Sequence, residues 1–174
     1  MGFLIDTCVW IDVERGSFAP ADVAALTGSE PIFISPVTLA ELRFGAEIAS
    51  EPRMRQKRLA ALRRLERKPL LAIDGATGII FGSLAAEIRA AGRQHRYRVQ
   101  DIWLASQALQ HACRLLTRNH HDFEDIPGLD LVLYQLEGRN RKRELIPEKT
   151  RGTLRASDFA HRKPAVVRSP VDGL

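Results

Sequence analysis

Phe3-Leu4-Ile5-Asp6-Thr7 opens the chain with three apolar residues that run straight into a carboxylate. An apolar run this short and unbroken reads as a strand buried on both faces, because a half-wet strand would alternate. Pro31-Ile32-Phe33-Ile34, Leu70-Leu71-Ala72-Ile73, Leu115-Leu116-Thr117 and Leu131-Val132-Leu133-Tyr134 repeat the pattern. Helices fill the intervals: Thr7 to Glu14, Pro20 to Leu26, and one opened by Ser35-Pro36, an N-cap followed by proline at the first helical position. Another runs from Pro52 to about Lys68, and Asp74 caps a long one in which Ile79, Ile80, Leu84 and Ile88 keep the helical period until Gly92. Arg93 to Gln100 reads as a polar loop, and Asp101 to Ala112 as the last helix. Strands alternating with helices predict an α/β fold of three layers, α/β/α, around a central and mainly parallel sheet.

The chain has 174 residues, which fits one domain with a tail left over. A domain of this size buries roughly 70% of its unfolded surface and needs no disulfide or structural metal to fold. Cys8 and Cys113 stand apart from each other and from any Cys/His cluster, so they read as packed thiols. No run of about 18 apolar residues is present. Met1-Gly2-Phe3 lacks the basic and apolar regions of a signal peptide, and Asp6 excludes a myristoylation signal at Gly2. The expected location is the cytoplasm, with no membrane partner.

The net charge of +5 is unevenly spread. Residues 1–138 carry 16 Lys and Arg against 17 Asp and Glu, whereas residues 139–174 carry 10 against 4. We divide the chain into one domain over 1–136 and a basic extension over 137–174 with little core of its own. The extension admits three uses: a solvated tail, an RNA-binding arm, or a segment that folds over an acidic pocket through Arg151 or Arg155.

Four acids carry the chemistry. Asp6 and Asp122 follow strands, Glu41 lies in the helix after the second strand, and Asp101 begins a helix leading into another. In an open parallel sheet ligands bind beyond the carboxyl ends of the strands, so all four can face one end. Two unit charges about 4 Å apart repel by roughly 4 kcal/mol at an effective dielectric of about 20. Carboxylates gathered that closely call for a cation, and an all-oxygen ligand set selects Mg2+ or Mn2+ over zinc. Such ions support phosphodiester hydrolysis without a protein nucleophile. Each acid also has a structural reading: Asp101 as an N-cap, Asp122 as a turn residue, Asp6 and Glu41 as local or solvent-facing carboxylates.

Phe3-Leu4-Ile5-Asp6-Thr7, the run Ile34-Ser35-Pro36-Val37-Thr38-Leu39-Ala40-Glu41-Leu42-Arg43-Phe44-Gly45-Ala46, Asp101-Ile102-Trp103-Leu104-Ala105 and Leu116-Thr117-Arg118-Asn119-His120-His121-Asp122-Phe123 occur in that order. Together they resemble the PIN-domain endoribonucleases, specifically the VapC-type toxins of bacterial toxin–antitoxin pairs. The resemblance spans about residues 2–135. It implies a PIN-like fold, Asp6, Glu41 and Asp101 as metal ligands, and Asp122 completing the quartet. Thr7, Thr117 and Asn119 would hold the ligands or water. It also implies an RNA substrate, Mg2+ or Mn2+ as cofactor, a homodimer, and a cognate antitoxin that silences the enzyme. The loop Gln94 to Gln100 lacks the family's Gly/Pro-containing approach to the third acid, and the tail after Glu137 exceeds the usual ending.

Other features have two readings. The basic run Arg53, Arg55, Lys57, Arg58, Arg63, Arg64, Arg67 and Lys68 is either an RNA-binding face or a solvated helix. Adjacent His120 and His121 read as surface groups rather than zinc ligands, and Trp103 and Phe123 as core. Tyr97, between Arg96 and Arg98, is the candidate for stacking on a base, with the two arginines as RNA contacts. The expected reaction is metal-dependent RNA cleavage by in-line attack of water, leaving a 5′-phosphate and a 3′-hydroxyl. The rivals are a catalytically silent PIN-like module that binds RNA or a partner, and a haloacid-dehalogenase-like phosphatase. The latter needs an Asp where Cys8 stands.

Overall fold

A computed structural model describes residues 1–93 and 98–136. Arg96, Tyr97 and the basic extension 137–174 lie outside the described residues. Among those described, the order is β1 (Phe3–Ile5), α1 (Thr7–Arg15), α2 (Pro20–Thr27), β2 (Ile32–Phe33), α3 (Pro36–Glu47), α4 (Pro52–Leu65), α5 (Gly75–Ala90), α6 (Val99–Gln110), β3 (Arg114–Thr117) and β4 (Leu131–Leu133). The strands form one parallel sheet in the order β2-β1-β3-β4. β1 therefore lies in the interior, with Ile5 paired to Leu116 and Leu4 to Phe33.

Alternation along the strands sorts the core into two layers. Leu4 and Leu115 point to the side covered by Ile80, Leu84 and Ile88 of α5 and Ile102, Leu104 and Ala105 of α6. Phe3, Ile5 and Leu116 point the other way, onto Val9 and Trp10 of α1, Val23 of α2 and Leu65 of α4. Phe3, Leu4, Ile5, Leu115 and Leu116 are all fully buried, as expected of strands covered on both faces. Gly2 leaves room for the Phe33 ring, which a Cβ there would displace.

Two elements differ from the sequence reading. Leu70 to Ile73 does not form a strand; only Leu70 makes a bridge, to Ile34. Leu70 and Ile73 are exposed, and Asp74 immediately turns to cap α5, so pairing has no room to extend. The last helix also starts earlier. Val99 and Gln100 belong to α6 and Arg98 occupies the cap, which leaves Asp101 inside the first turn and overturns its N-cap reading. A carboxylate in that turn is favoured by the helix dipole.

One buried amide fixes α6 against the start of α3. Ser35 accepts from the Val37 N–H at 3.0 Å as the N-cap of α3 and donates its own proton to Gln107 Oε1 at 2.6 Å. Gln107 Nε2 in turn donates to the Leu71 carbonyl at 2.6 Å. Both Ser35 and Gln107 are fully buried, so the helices that carry Glu41 and Asp101 are joined through a satisfied polar contact.

Candidate active site

β1 and β3 are neighbours, so the residues just past their carboxyl ends meet. Asp6 is 8% exposed, and its backbone N–H continues the ladder to the Leu116 carbonyl at 3.0 Å. Its Oδ2 accepts from the Thr117 hydroxyl at 2.7 Å and the Cys8 thiol at 3.0 Å. The Thr117 oxygen accepts in turn from the Asn119 N–H at 3.0 Å, so the turn after β3 is linked to Asp6 through one hydroxyl. The Asn119 side-chain amide donates to the Asp122 carboxylate.

Glu41 comes from the facing helix. Thr7, the first residue of α1, donates to the Glu41 carboxylate and lies 3.3 Å from the Thr38 hydroxyl. Thr38 is fully buried and sits one turn before Glu41, on the same side of α3. Each of the three polar residues expected around the ligands therefore touches an acid directly or through one group: Thr7 on Glu41, Thr117 on Asp6, Asn119 on both Thr117 and Asp122.

The electrostatics join all four acids. Burial, followed by the charges of Asp122 and Asp6, pushes the Asp101 carboxyl up to about 7, with Glu41 adding to the shift and Arg98 opposing it. Glu41 is also raised, first by burial and then by Asp6, against the bond from Thr7. Burial and the neighbouring Asp6 push the Cys8 thiol up to about 11, so it is a neutral donor to Asp6 at physiological pH. Charges that shift one another in this way lie near one another, at the carboxyl ends of β1 and β3. Among the described residues, no group of three or more His, Cys, Asp and Glu side chains is gathered tightly enough to hold an ion as it stands. The donor chemistry nevertheless fits a hard divalent ion: carboxylate oxygens supported by hydroxyls, at a cleft where burial and mutual repulsion penalise the charged form of Asp101.

Arg98 is turned onto the protein. Its side chain is 14% exposed, its Nη1 and Nη2 donate to the Asp125 carboxylate at 2.7 Å each, and Nη2 also donates to the Asp122 carbonyl. Arg93 adds a second contact to Asp125 at 3.0 Å. The guanidinium, expected to reach RNA, instead ties the start of α6 to the turn that carries Asp122. His120 and His121 both lie against Glu124, at 3.1 and 3.2 Å, in keeping with their surface reading. Phe123 is buried and Trp103 stacks on Phe81. Part of the basic run is absorbed internally: Arg55 pairs with Glu47, while Lys57 and Arg58 pair with Glu14.

The sequence reading missed Cys8 and Thr38 as groups supporting the acids. Thr38 had a local signal, its spacing of three residues from Glu41 on one helix. Cys8 also had one, its place two residues from Asp6, whereas its contact with Thr117 at 3.6 Å depends on the pairing of β1 with β3.

The family model described as PIN domain matches residues 3–129. This chain belongs to the PIN-domain family. Among its relatives, Ribonuclease VapC4 of Mycobacterium tuberculosis is 32% identical over 129 residues, covering 74% of this chain and 94% of the relative. Ribonuclease VapC5 of the same organism is 30% identical, with 72% and 87% covered. Among solved structures, the VapBC-5 toxin–antitoxin structure from M. tuberculosis matches with a TM-score of 0.63 at 26% identity, over 76% of this chain and 98% of the other. A DNA-bound VapBC structure from Salmonella typhimurium gives 0.65 at 26% identity, over 76% and 97%. The parallel sheet flanked by helices is thus the PIN fold, and the acidic cleft lies at the carboxyl ends of its strands. Among the described residues of this PIN domain, no helix is long and apolar enough to cross a membrane.

Proposed function

We propose that this PIN-domain protein is a metal-dependent endoribonuclease and the toxin of a toxin–antitoxin pair. One arrangement carries the reading: Thr117 joins Asp6 to the Asn119 turn that holds Asp122, Thr7 holds Glu41, and burial with Asp122, Asp6 and Glu41 raises Asp101. Such an arrangement costs stability and is expected where a cation and a phosphate are to be bound.

Asp6, Glu41, Asp101 and Asp122 would hold Mg2+ or Mn2+. When bound, the ion supplies charge to the phosphate in the transition state and makes water a better nucleophile. The protein's part is orientation. Thr117 and Cys8 hold one oxygen of Asp6, leaving Oδ1 directed elsewhere. Thr7 holds Glu41, and Asn119 holds Asp122. Arg98 ties the start of α6, which carries Asp101, to the turn that carries Asp122. The products would be a 5′-phosphate and a 3′-hydroxyl.

The names of the VapC relatives support an RNA substrate, and the VapBC complexes support an antitoxin partner. Phe44 on α3, Ile48 at its C-cap and Ile79 on α5 are each more than 60% exposed, apolar surface of the kind that an antitoxin and a second copy of the chain would cover. The four acids of this chain would act in the cytoplasm. A titration of Mn2+ into the protein with a fluorescent single-stranded RNA present tests the proposal. Saturable, ion-dependent product formation is the expected result. Saturable ion binding without product would favour the silent binding module.

A further inference from the structure

Among the described residues, Asp12 is the one fully enclosed acid that the proposed chemistry leaves unused. It lies on α1 with its side chain 3% exposed. Its Oδ2 accepts from the Tyr134 hydroxyl at 2.7 Å and from Arg118 Nη1 at 2.7 Å, and Ser17 adds a longer bond to Oδ1 at 3.3 Å. Tyr134 is buried and stacks on Phe18, so the acceptor is held from below by the core.

Arg118 differs from its partner in exposure. Its side chain is 44% exposed, and among the described residues its Nε and Nη2 make no hydrogen bond. Its backbone belongs to the site: Arg118 follows Thr117, which holds Asp6, and its N–H donates to the Cys8 sulfur at 3.4 Å. Asp12 is six residues beyond Asp6, about 9 Å along α1 at 1.5 Å per residue. The guanidinium thus stands beside the acidic cleft rather than in it, where a neighbouring phosphate of a bound strand would lie. Arg98, another arginine near the acids, spends both terminal nitrogens on Asp125 and Asp122.

We infer that Arg118 is an RNA-contacting residue, anchored by Asp12 and Tyr134 so that the free side of its guanidinium receives a backbone phosphate next to the cleaved bond. This rests on the endoribonuclease reading. The anchor matters because an arginine already fixed through one nitrogen loses less side-chain freedom when it binds. Neutralising a buried carboxylate needs only Nη1; the half-exposed remainder of the fork matches the bidentate geometry of phosphate.

The test is the salt dependence of binding to a fluorescent single-stranded oligoribonucleotide, measured with the full chain carrying Asp101→Asn to keep the RNA intact. Arg118→Gln is expected to weaken binding and to lower the magnitude of the log–log salt slope by about 0.7, one phosphate on a single strand. Arg118→Lys is expected to keep the slope. Asp12→Asn is expected to weaken binding with the slope retained, because the charge remains while its position loosens. A slope unchanged in Arg118→Gln, in a protein that stays folded and still binds RNA, overturns the inference and leaves Arg118 as a strut. Absence of RNA binding by the parent protein would overturn the endoribonuclease reading itself, and this inference with it.

Discussion

Thr117 donates its hydroxyl to Asp6 at 2.7 Å across two adjacent parallel strands, although 111 residues separate them in the chain. The same hydroxyl oxygen accepts from the Asn119 N–H, so it transmits the position of the β3 turn to the first acid. Groups that orient metal-binding carboxylates typically matter by about 10–100-fold in affinity or activity when removed. Thr117→Val, nearly the same shape without the hydroxyl, is expected to weaken Mn2+ binding or cleavage within that range. Isothermal titration with Mn2+ alongside a cleavage time course checks it; unchanged values for both would show that Asp6 needs no help from Thr117.

The pH dependence has a definite sign. Asp101 is raised from 3.8 to about 7, by burial first and then by Asp122 and Asp6. Between those values the folded protein holds a proton that the unfolded chain has released. The ion-free fold is therefore favoured at the acid end, and that advantage is lost as pH rises through about 7. Melting in EDTA from about pH 5 to about pH 8 is expected to show a declining midpoint, which saturating Mn2+ restores at the upper end. Because the ion competes with the same proton, its apparent affinity is expected to rise over this interval. An affinity independent of pH would contradict the crowding of the four acids.

Arg98→Gln is expected to act through stability. The substitution leaves the Asp125 carboxylate, 10% exposed, with Arg93 alone, and it strips one donor from the Asp122 carbonyl. Stranding a part-buried acceptor costs about 1–3 kcal/mol. Chemical denaturation should report a loss of that order, with the salt slope of RNA binding unchanged. A lost phosphate contact without lost stability would instead return Arg98 to the role of an RNA contact.

Much of this fold was legible because its signals are local. The unbroken apolar runs of β1 and β3, the Ser35-Pro36 start of α3 and the Asp74 cap of α5 each lie within a few neighbouring residues. Leu70 to Ile73 failed for a physical reason: an apolar run states a tendency to be buried, but here the exposed Leu70 and the nearby cap at Asp74 limit pairing to a single bridge. The acids were found by their places after strands and on helices, and by the ordered motifs. Asp12 and Gln107 were not, because Tyr134 and Arg118 lie 122 and 106 residues from Asp12 and Ser35 lies 72 residues from Gln107. The pairing of Arg98, expected to contact RNA, with Asp125 was likewise not legible, since Asp125 lies 27 residues on.

Gln107 offers a test of that long-range wiring. Gln107→Leu would leave the Ser35 hydroxyl and the Leu71 carbonyl, both now bonded at 2.6 Å, without their partner. Two stranded buried groups are expected to cost about 1–3 kcal/mol each at most, less whatever the apolar replacement returns. Urea unfolding measures the loss. Stability equal to the parent would mean that α3 and α6 are held by their apolar contacts alone.

The central claim is that Asp6 and its three acidic companions make a cation-dependent RNA-cleaving centre. Its most direct test compares the parent protein with Asp6→Asn on one single-stranded RNA, each with Mn2+ and with EDTA, while circular dichroism confirms that both are folded. The account expects product from the parent only with the ion, and none above background from Asp6→Asn. Cleavage by Asp6→Asn at the parent's rate, or cleavage that persists undiminished in EDTA, would contradict it.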